Sequence, residues 1–130
     1  MSGADLSALT HRDADWSTLR ALVTGLGVTG FAAADALLQH EATVTVVDKG
    51  NGTEKQDTQA GILGILGADV RRGPEHVAGW PEDLDVDVVV TSPGWPPHHP
   101  VLAAALERGI PVWSEVELAW RLRPRVAADA

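Results

Sequence analysis

The residues best placed to do chemistry are the glycines of Gly25-Leu26-Gly27-Val28-Thr29-Gly30, although none of them carries a reactive group. They join a short apolar run, Ala21-Leu22-Val23, to a segment of helical period. Glycines at such a junction let the backbone turn tightly. They also leave the first amides of the helix unpaired and aimed outward, an arrangement that favours a phosphate group. The chemistry this predicts is the binding of a nucleotide phosphate through backbone at Gly27, Val28, Thr29 and Gly30. A tight strand-to-helix turn with no ligand is the competing reading. The Thr29 hydroxyl, two residues into the helix, can bond a phosphate or its own helix turn, and its position favours the phosphate.

A second candidate group lies at the end of the next apolar run. Val44-Thr45-Val46-Val47 leads into Asp48, 18 residues beyond Gly30 and near the spacing at which a carboxylate meets a ribose or base. Asp48 to Thr58 has the Gly, Lys, Asn, Asp and Thr content of a loop, which puts Asp48 and Lys49 at a mouth. A third lies after Val86-Asp87-Val88-Val89-Val90, where Thr91-Ser92-Pro93-Gly94-Trp95 follows directly. Ligands in open α/β sheets sit at such carboxyl ends, so the Trp95 ring is placed to stack on a base or sugar, with simple loop packing as the alternative.

Other polar residues read more plainly. His98 and His99 are adjacent, point opposite ways in an extended segment, and lack convergent Cys, Asp or Glu partners, so a metal site is not expected. Among Pro96, Pro97 and Pro100 they belong to a rigid loop entering a helix. Ser114-Glu115-Val116-Glu117 is a capping box, which accounts for Glu117, and solvent exposure accounts for Glu115. There is no Gly-Lys-Ser/Thr sequence for ATP phosphates and no nucleophile with a matching base. A binding domain with no catalytic set is the expectation.

The elements that must position these residues follow from periodicity. Phe31, Ala34, Leu37 and Leu38 share one helix face, and Gly30 falls on that face, where a missing side chain permits close packing. A second helix, roughly Gln56 to Leu66, offers Ile62, Leu63, Ile65 and Leu66 for burial and stops at Gly67. Ala68 to Arg71 reads as a strand, and Gly73 to Pro81 as irregular. Val86 to Val90 has the β-branched continuity of a central parallel strand covered on both faces. A helix starts near Pro100 with Leu102, Ala105 and Leu106 inward, then a short strand at Pro111 to Ser114, then a helix ending before Pro124. Alternating strands and helices predict a single α/β domain, a Rossmann-like, doubly wound parallel sheet of about five strands.

Residues 1–18 are polar and without period and read mostly as a leader; 19–123 form the domain; 124–130 read as a tail at which a linker begins. A formal charge of −8 with only two lysines, Lys49 and Lys55, argues against nucleic acid as a partner. No apolar run is long enough to span a bilayer, the first residues lack the regions of a signal peptide, and there is no cysteine. These features favour a cytoplasmic location.

Taken together, Gly25-Leu-Gly-Val-Thr-Gly30, the strand ending in Asp48, Thr91-Ser-Pro-Gly94 with His99-Pro100, and Glu115-Val-Glu-Leu118 resemble the N-terminal domain of the Mur ligases of peptidoglycan synthesis, in their D-glutamate-adding branch. The glycine motif alone does not separate this family from dehydrogenases, whereas the later motifs are far more specific. The resemblance spans about residues 20–123 and implies a three-domain ligase in which a central domain binds ATP and Mg²⁺ and a C-terminal domain helps bind the amino acid. On that resemblance the substrate carboxylate is activated as an acyl phosphate and attacked by D-glutamate. This chain would hold the UDP part of UDP-N-acetylmuramoyl-L-alanine: Gly27, Val28, Thr29 and Gly30 at the diphosphate and sugar, Asp48 and Lys49 near the uracil, and Ser92, Pro93, Gly94 and Trp95 closing over the nucleotide. Lys49-Gly50 departs from the hydroxyl residue and arginine common there in the family, and Trp95 is larger than the usual aliphatic residue. By itself such a chain is expected to be inactive.

Two other functions fit parts of the sequence. An NAD(P)-binding domain of an oxidoreductase would share the glycine loop and Asp48 but has no need of Ser-Pro-Gly-Trp and its companions. A non-enzymatic interaction module would use the glycine turn as architecture only.

Overall fold

The computed structural model describes residues 5–50, 52–91 and 99–124. Five strands, β1 (Arg20–Thr24), β2 (Thr43–Asp48), β3 (Asp69–Arg72), β4 (Val88–Thr91) and β5 (Val112–Ser114), form one sheet in the order β3-β2-β1-β4-β5. All four pairings are parallel, with Val23 at the centre beside Val46 and Val90. The helices are α1 (Val28–Gln39), α2 (Glu54–Ile65), α3 (Pro74–Val77), α4 (Pro100–Glu107) and α5 (Glu115–Arg121). The doubly wound parallel sheet predicted from the sequence is thus observed.

Strand residues alternate between two cores, as the pleat requires. Ala21, Val23, Val44, Val46, Val88 and Val90 face the core that holds Ala33, Ala34 and Leu37 of α1, Leu63 of α2 and Leu118 of α5. Leu22, Val47 and Val89 face the other, which holds Val101, Leu102 and Ala105 of α4. Val88, Val89 and Val90 are at most 1% exposed. Burial on both faces is why these strands read as continuous β-branched runs.

Several expected burials are not found. Of the four apolar residues assigned to the core from α2, only Leu63 is buried; Ile65 is 87% exposed, and Ile62 and Leu66 are also exposed. The helix packs on the edge strand β3, where Asp69, Arg71 and Arg72 leave Val70 as the one apolar side chain to cover. Leu106 is likewise exposed, because α4 runs out over the three-residue edge strand β5, and Val101 is buried in its place. The segment after Gly73, expected to be irregular, contains the one-turn helix α3 with Pro74 in its first turn.

Residues 5–18 pack on the domain. They form two 3-10 turns, Leu6–Ala8 and Trp16–Thr18, and Leu9 and Trp16 enter the α1 side of the core. Arg121 at the end of α5 clips this segment down: its Nη1 donates to the carbonyls of Leu6 (2.8 Å) and Leu9 (3.2 Å) while the guanidinium lies 4.1 Å over the Trp113 ring. Arg123 Nη1 donates to the Thr10 carbonyl in the same way. Among the described residues, no helix is long and apolar enough to cross a membrane.

Candidate functional site

The crossovers run from β1 outward through β2 to β3, then return to β4 on the other side of β1. The connections therefore diverge above the carboxyl ends of β1 and β4, and the crevice at such a switch point is where open α/β sheets take their ligands. Thr24 and Thr91 close its floor, with the Thr24 Oγ1 hydroxyl bonded to Thr91 Oγ1 at 2.9 Å.

The glycine turn stands over this crevice. Gly25 and Gly27 have φ of 87° and 128°, backbone that L side chains rarely adopt. Gly27 is the N-cap of α1 and supplies no side-chain cap, and the first intrahelical bond runs from Phe31 N to Gly27 O at 2.9 Å. The amides of Val28, Thr29 and Gly30 precede that bond, so the helix meets the crevice with donors and with the positive end of its dipole. Gly30 packs onto the turn so closely that a β-carbon there would lie 1.9 Å from the Gly25 carbonyl oxygen. The close-packing role predicted for it is present.

Asp48, at the end of β2, is 8% exposed and spends its carboxylate on two backbone amides: Oδ1 accepts from Leu26 N at 3.1 Å and Oδ2 from Gly50 N at 3.0 Å. It thereby ties the glycine turn to the end of β2, with Gly25 N donating to Val47 O at 2.7 Å alongside. Lys49 follows it, exposed at the rim. The fold thus brings Gly27, Val28, Thr29, Gly30, Asp48 and Lys49 to one edge of the crevice. Ser92, Pro93, Gly94 and Trp95, together with His98, lie outside the described residues. His99 does not look toward a ligand through Nδ1, which accepts from Val101 N at 3.3 Å and caps α4.

Three residues at the mouth were not singled out as ligand-site residues from the sequence. Glu115, expected to be exposed, is half-buried beside Thr29, Gly30 and Thr91, and its Oε2 is buried with no hydrogen-bond partner among the described residues. Ser114 caps α5 by accepting from Glu117 N at 3.1 Å, but the Glu117 carboxylate is taken by Arg121 at 2.7 Å, so the capping box is half formed. Arg72, register partner of Asp48, donates through Nη1 to Asp57 Oδ1 at 2.5 Å, and that bond raises its pKa above the ordinary value. Gln56 of α2 fills the space between Gly52 and the turn: a β-carbon on Gly52 would meet its Oε1 at 2.0 Å, and one on Gly27 its Nε2 at 4.0 Å. Strand register places Arg72 opposite Asp48, a relation that spacing along the chain does not reveal. Beside the turn, an apolar groove of about 270 Å³ runs between α1 and α5, lined by Val28, Ala32, Ala36, Leu118 and Leu122.

A parallel sheet with a glycine turn opening an uncapped helix at its switch point defines a Rossmann-like binding domain. The particular family is given by residues 19–114, which match the Mur ligase MurD-like N-terminal domain, and the chain belongs to that family. Similar curated proteins include those of Leifsonia xyli subsp. xyli (42% identical over 128 residues, 94% of this chain and 23% of the relative), Frankia casuarinae (50% over 109 residues, 83% and 22%) and Thermobifida fusca (50% over 105 residues, 81% and 22%). Each is named UDP-N-acetylmuramoylalanine--D-glutamate ligase. The chain thus spans less than a quarter of the length of these relatives. The oxidoreductase alternative gains no support from them.

Proposed function

We propose that this chain is the nucleotide-anchoring domain of a D-glutamate-adding Mur ligase, holding the UDP end of UDP-N-acetylmuramoyl-L-alanine while the ligation chemistry takes place on domains outside it. The observation that carries the reading is the uncapped N-terminus of α1 at the switch point, in a chain of this family. Its amides are donors waiting for an anion, and a diphosphate supplies acceptor oxygens and the negative charge that the helix dipole favours. Asp48 acts from behind, fixing Leu26 and Gly50 so that the turn is preformed. Lys49 stands beside it as a charge for the nucleotide's polar rim. Ser92 to Trp95 close over the nucleotide in this reading, which for them rests on the family resemblance alone.

The assignment of ATP and Mg²⁺ to another domain is part of the same reading. Among the described residues no three His, Asp or Glu groups converge on one point, and the sequence has no Gly-Lys-Ser/Thr element. ATP and Mg²⁺, which in the full enzyme activate the substrate carboxylate for attack by D-glutamate, belong in this reading to the central domain. A cytoplasmic setting and no nucleic-acid or membrane partner go with it.

Thermal unfolding with millimolar UDP-N-acetylmuramoyl-L-alanine, UDP or NAD tests the proposal. A ligand at 100 times its Kd stabilises a fold by about 2.7 kcal/mol. Both uridine ligands are expected to raise the midpoint by several degrees and NAD to leave it unchanged. A rise with NAD and none with either uridine ligand contradicts the reading.

A further inference from the structure

Arg72 poses a problem that stability does not answer. Its Nη1 is bonded to Asp57, yet its Nε and Nη2 are both buried and, among the described residues, have no hydrogen-bond partner. Those two nitrogens form the side-on fork of a guanidinium, the geometry that grips a carboxylate with two parallel bonds. A carboxylate is within reach: Asp48 Oδ2 lies 3.6 Å from Nε, an ion-pair distance too long for a hydrogen bond. Its oxygens are instead held by Leu26 N and Gly50 N. The loop after β2 presses directly on the fork, since a β-carbon on Gly52 would stand 2.7 Å from Nη2.

We propose that Arg72 is a positioning residue for nucleotide recognition. Its half-buried charge keeps the Asp48 carboxylate in place from the β3 side, without competing with the two amides that Asp48 holds. Through Asp48 it sets the glycine turn, while its bond to Asp57 anchors the far side of the guanidinium. At 3.6 Å the Arg72 charge acts on Asp48 Oδ2 while that oxygen keeps its bond from Gly50 N, so charge and amide hold the carboxylate together. The inference rests on the nucleotide-anchoring reading for its ligand, but its structural half stands apart from that reading.

The test compares Arg72→Met, Arg72→Lys and Asp57→Asn in the full chain, by calorimetric titration with UDP and by amide hydrogen exchange at Leu26 and Gly50. Arg72→Met is expected to weaken UDP binding about tenfold or more and to speed exchange at both amides, with the rest of the sheet still protected. Arg72→Lys keeps the charge and is expected to recover part of both effects. Asp57→Asn removes the Nη1 partner's charge but not the Arg72 charge beside Asp48, so affinity stays within about threefold of the parent. Unchanged exchange at Leu26 and Gly50 in Arg72→Met overturns the proposal, as does a parent-like UDP affinity. Should Arg72→Met not fold, the same two readings on Arg72→Lys decide: parent-like values with a protected sheet support a role for charge, and uniform loss of protection across the sheet overturns positioning in favour of plain stability. A parent chain that fails to bind UDP counts against the anchoring function, whereas the exchange result judges Arg72 separately.

Discussion

Gly30 of α1 and Gly25 of the preceding turn are in backbone contact, with room for no atom between the Gly30 α-carbon and the Gly25 carbonyl oxygen. Gly30→Ala must therefore push helix and turn apart. We expect a loss near the upper end of the roughly 1–3 kcal/mol typical of overpacking. This would be read as a midpoint lowered on the order of 10 °C in thermal unfolding. Nucleotide affinity should fall with it, because the displaced amides are those proposed to face the phosphate.

Asp48 is predicted to be a scaffold more than a ligand. Asp48→Ala leaves the partly buried amides of Leu26 and Gly50 without this acceptor. Each unmet group costs about 1–3 kcal/mol. Denaturant unfolding should show that destabilisation even with no nucleotide present. A variant as stable as the parent would mean that the carboxylate serves the ligand alone.

The segment before the first strand should behave as part of the domain. Trp16 is 1% exposed and its indole Nε1 donates to the His11 carbonyl at 3.0 Å. Truncating a buried large aromatic typically costs about 3–5 kcal/mol. Trp16→Ala is expected to show a loss of that order in chemical denaturation, and removal of residues 1–18 a larger one. Parent-like stability after removal would make the segment a true leader.

At the β3 edge, Arg71 grips Asp83 with bonds of 2.8 and 2.7 Å and holds that carboxyl below its ordinary value. A carboxyl whose folded pKa is depressed adds stability that is complete above its unfolded pKa and is lost as the pH falls through the folded one. The Arg71 pKa is raised beyond the working range, so the window belongs to Asp83. Asp83→Asn should lower the midpoint slightly at neutral pH in low salt, and the difference should vanish near pH 2 and shrink in high salt. A difference that persists at low pH would point to shape, not charge.

The central architecture was legible because its signals are local. A β-branched run buried on both faces, a glycine turn and a proline-started helix each announce themselves within a few residues. Burial is not legible where it depends on what lies opposite: Ile62, Ile65 and Leu66 have the spacing of a buried face, but the edge strand beneath offers only Val70. Leu9 and Trp16 reach the core from a segment with no period, so no pattern flagged them. At the site, the turn and Asp48 could be read from spacing along the chain. Arg72, Gln56 and Glu115 arrive through strand register and helix docking, relations that a single sequence does not display.

The proposed anchoring depends on the uncapped amides of α1 meeting a phosphate. A titration of the nitrogen-labelled chain with UDP-N-acetylmuramoyl-L-alanine, followed by amide NMR, tests that directly. The largest shifts are expected at Val28, Thr29 and Gly30, with smaller ones at Lys49 and Gly50. Saturable binding that leaves these amides unmoved, or no binding at millimolar ligand, would contradict it.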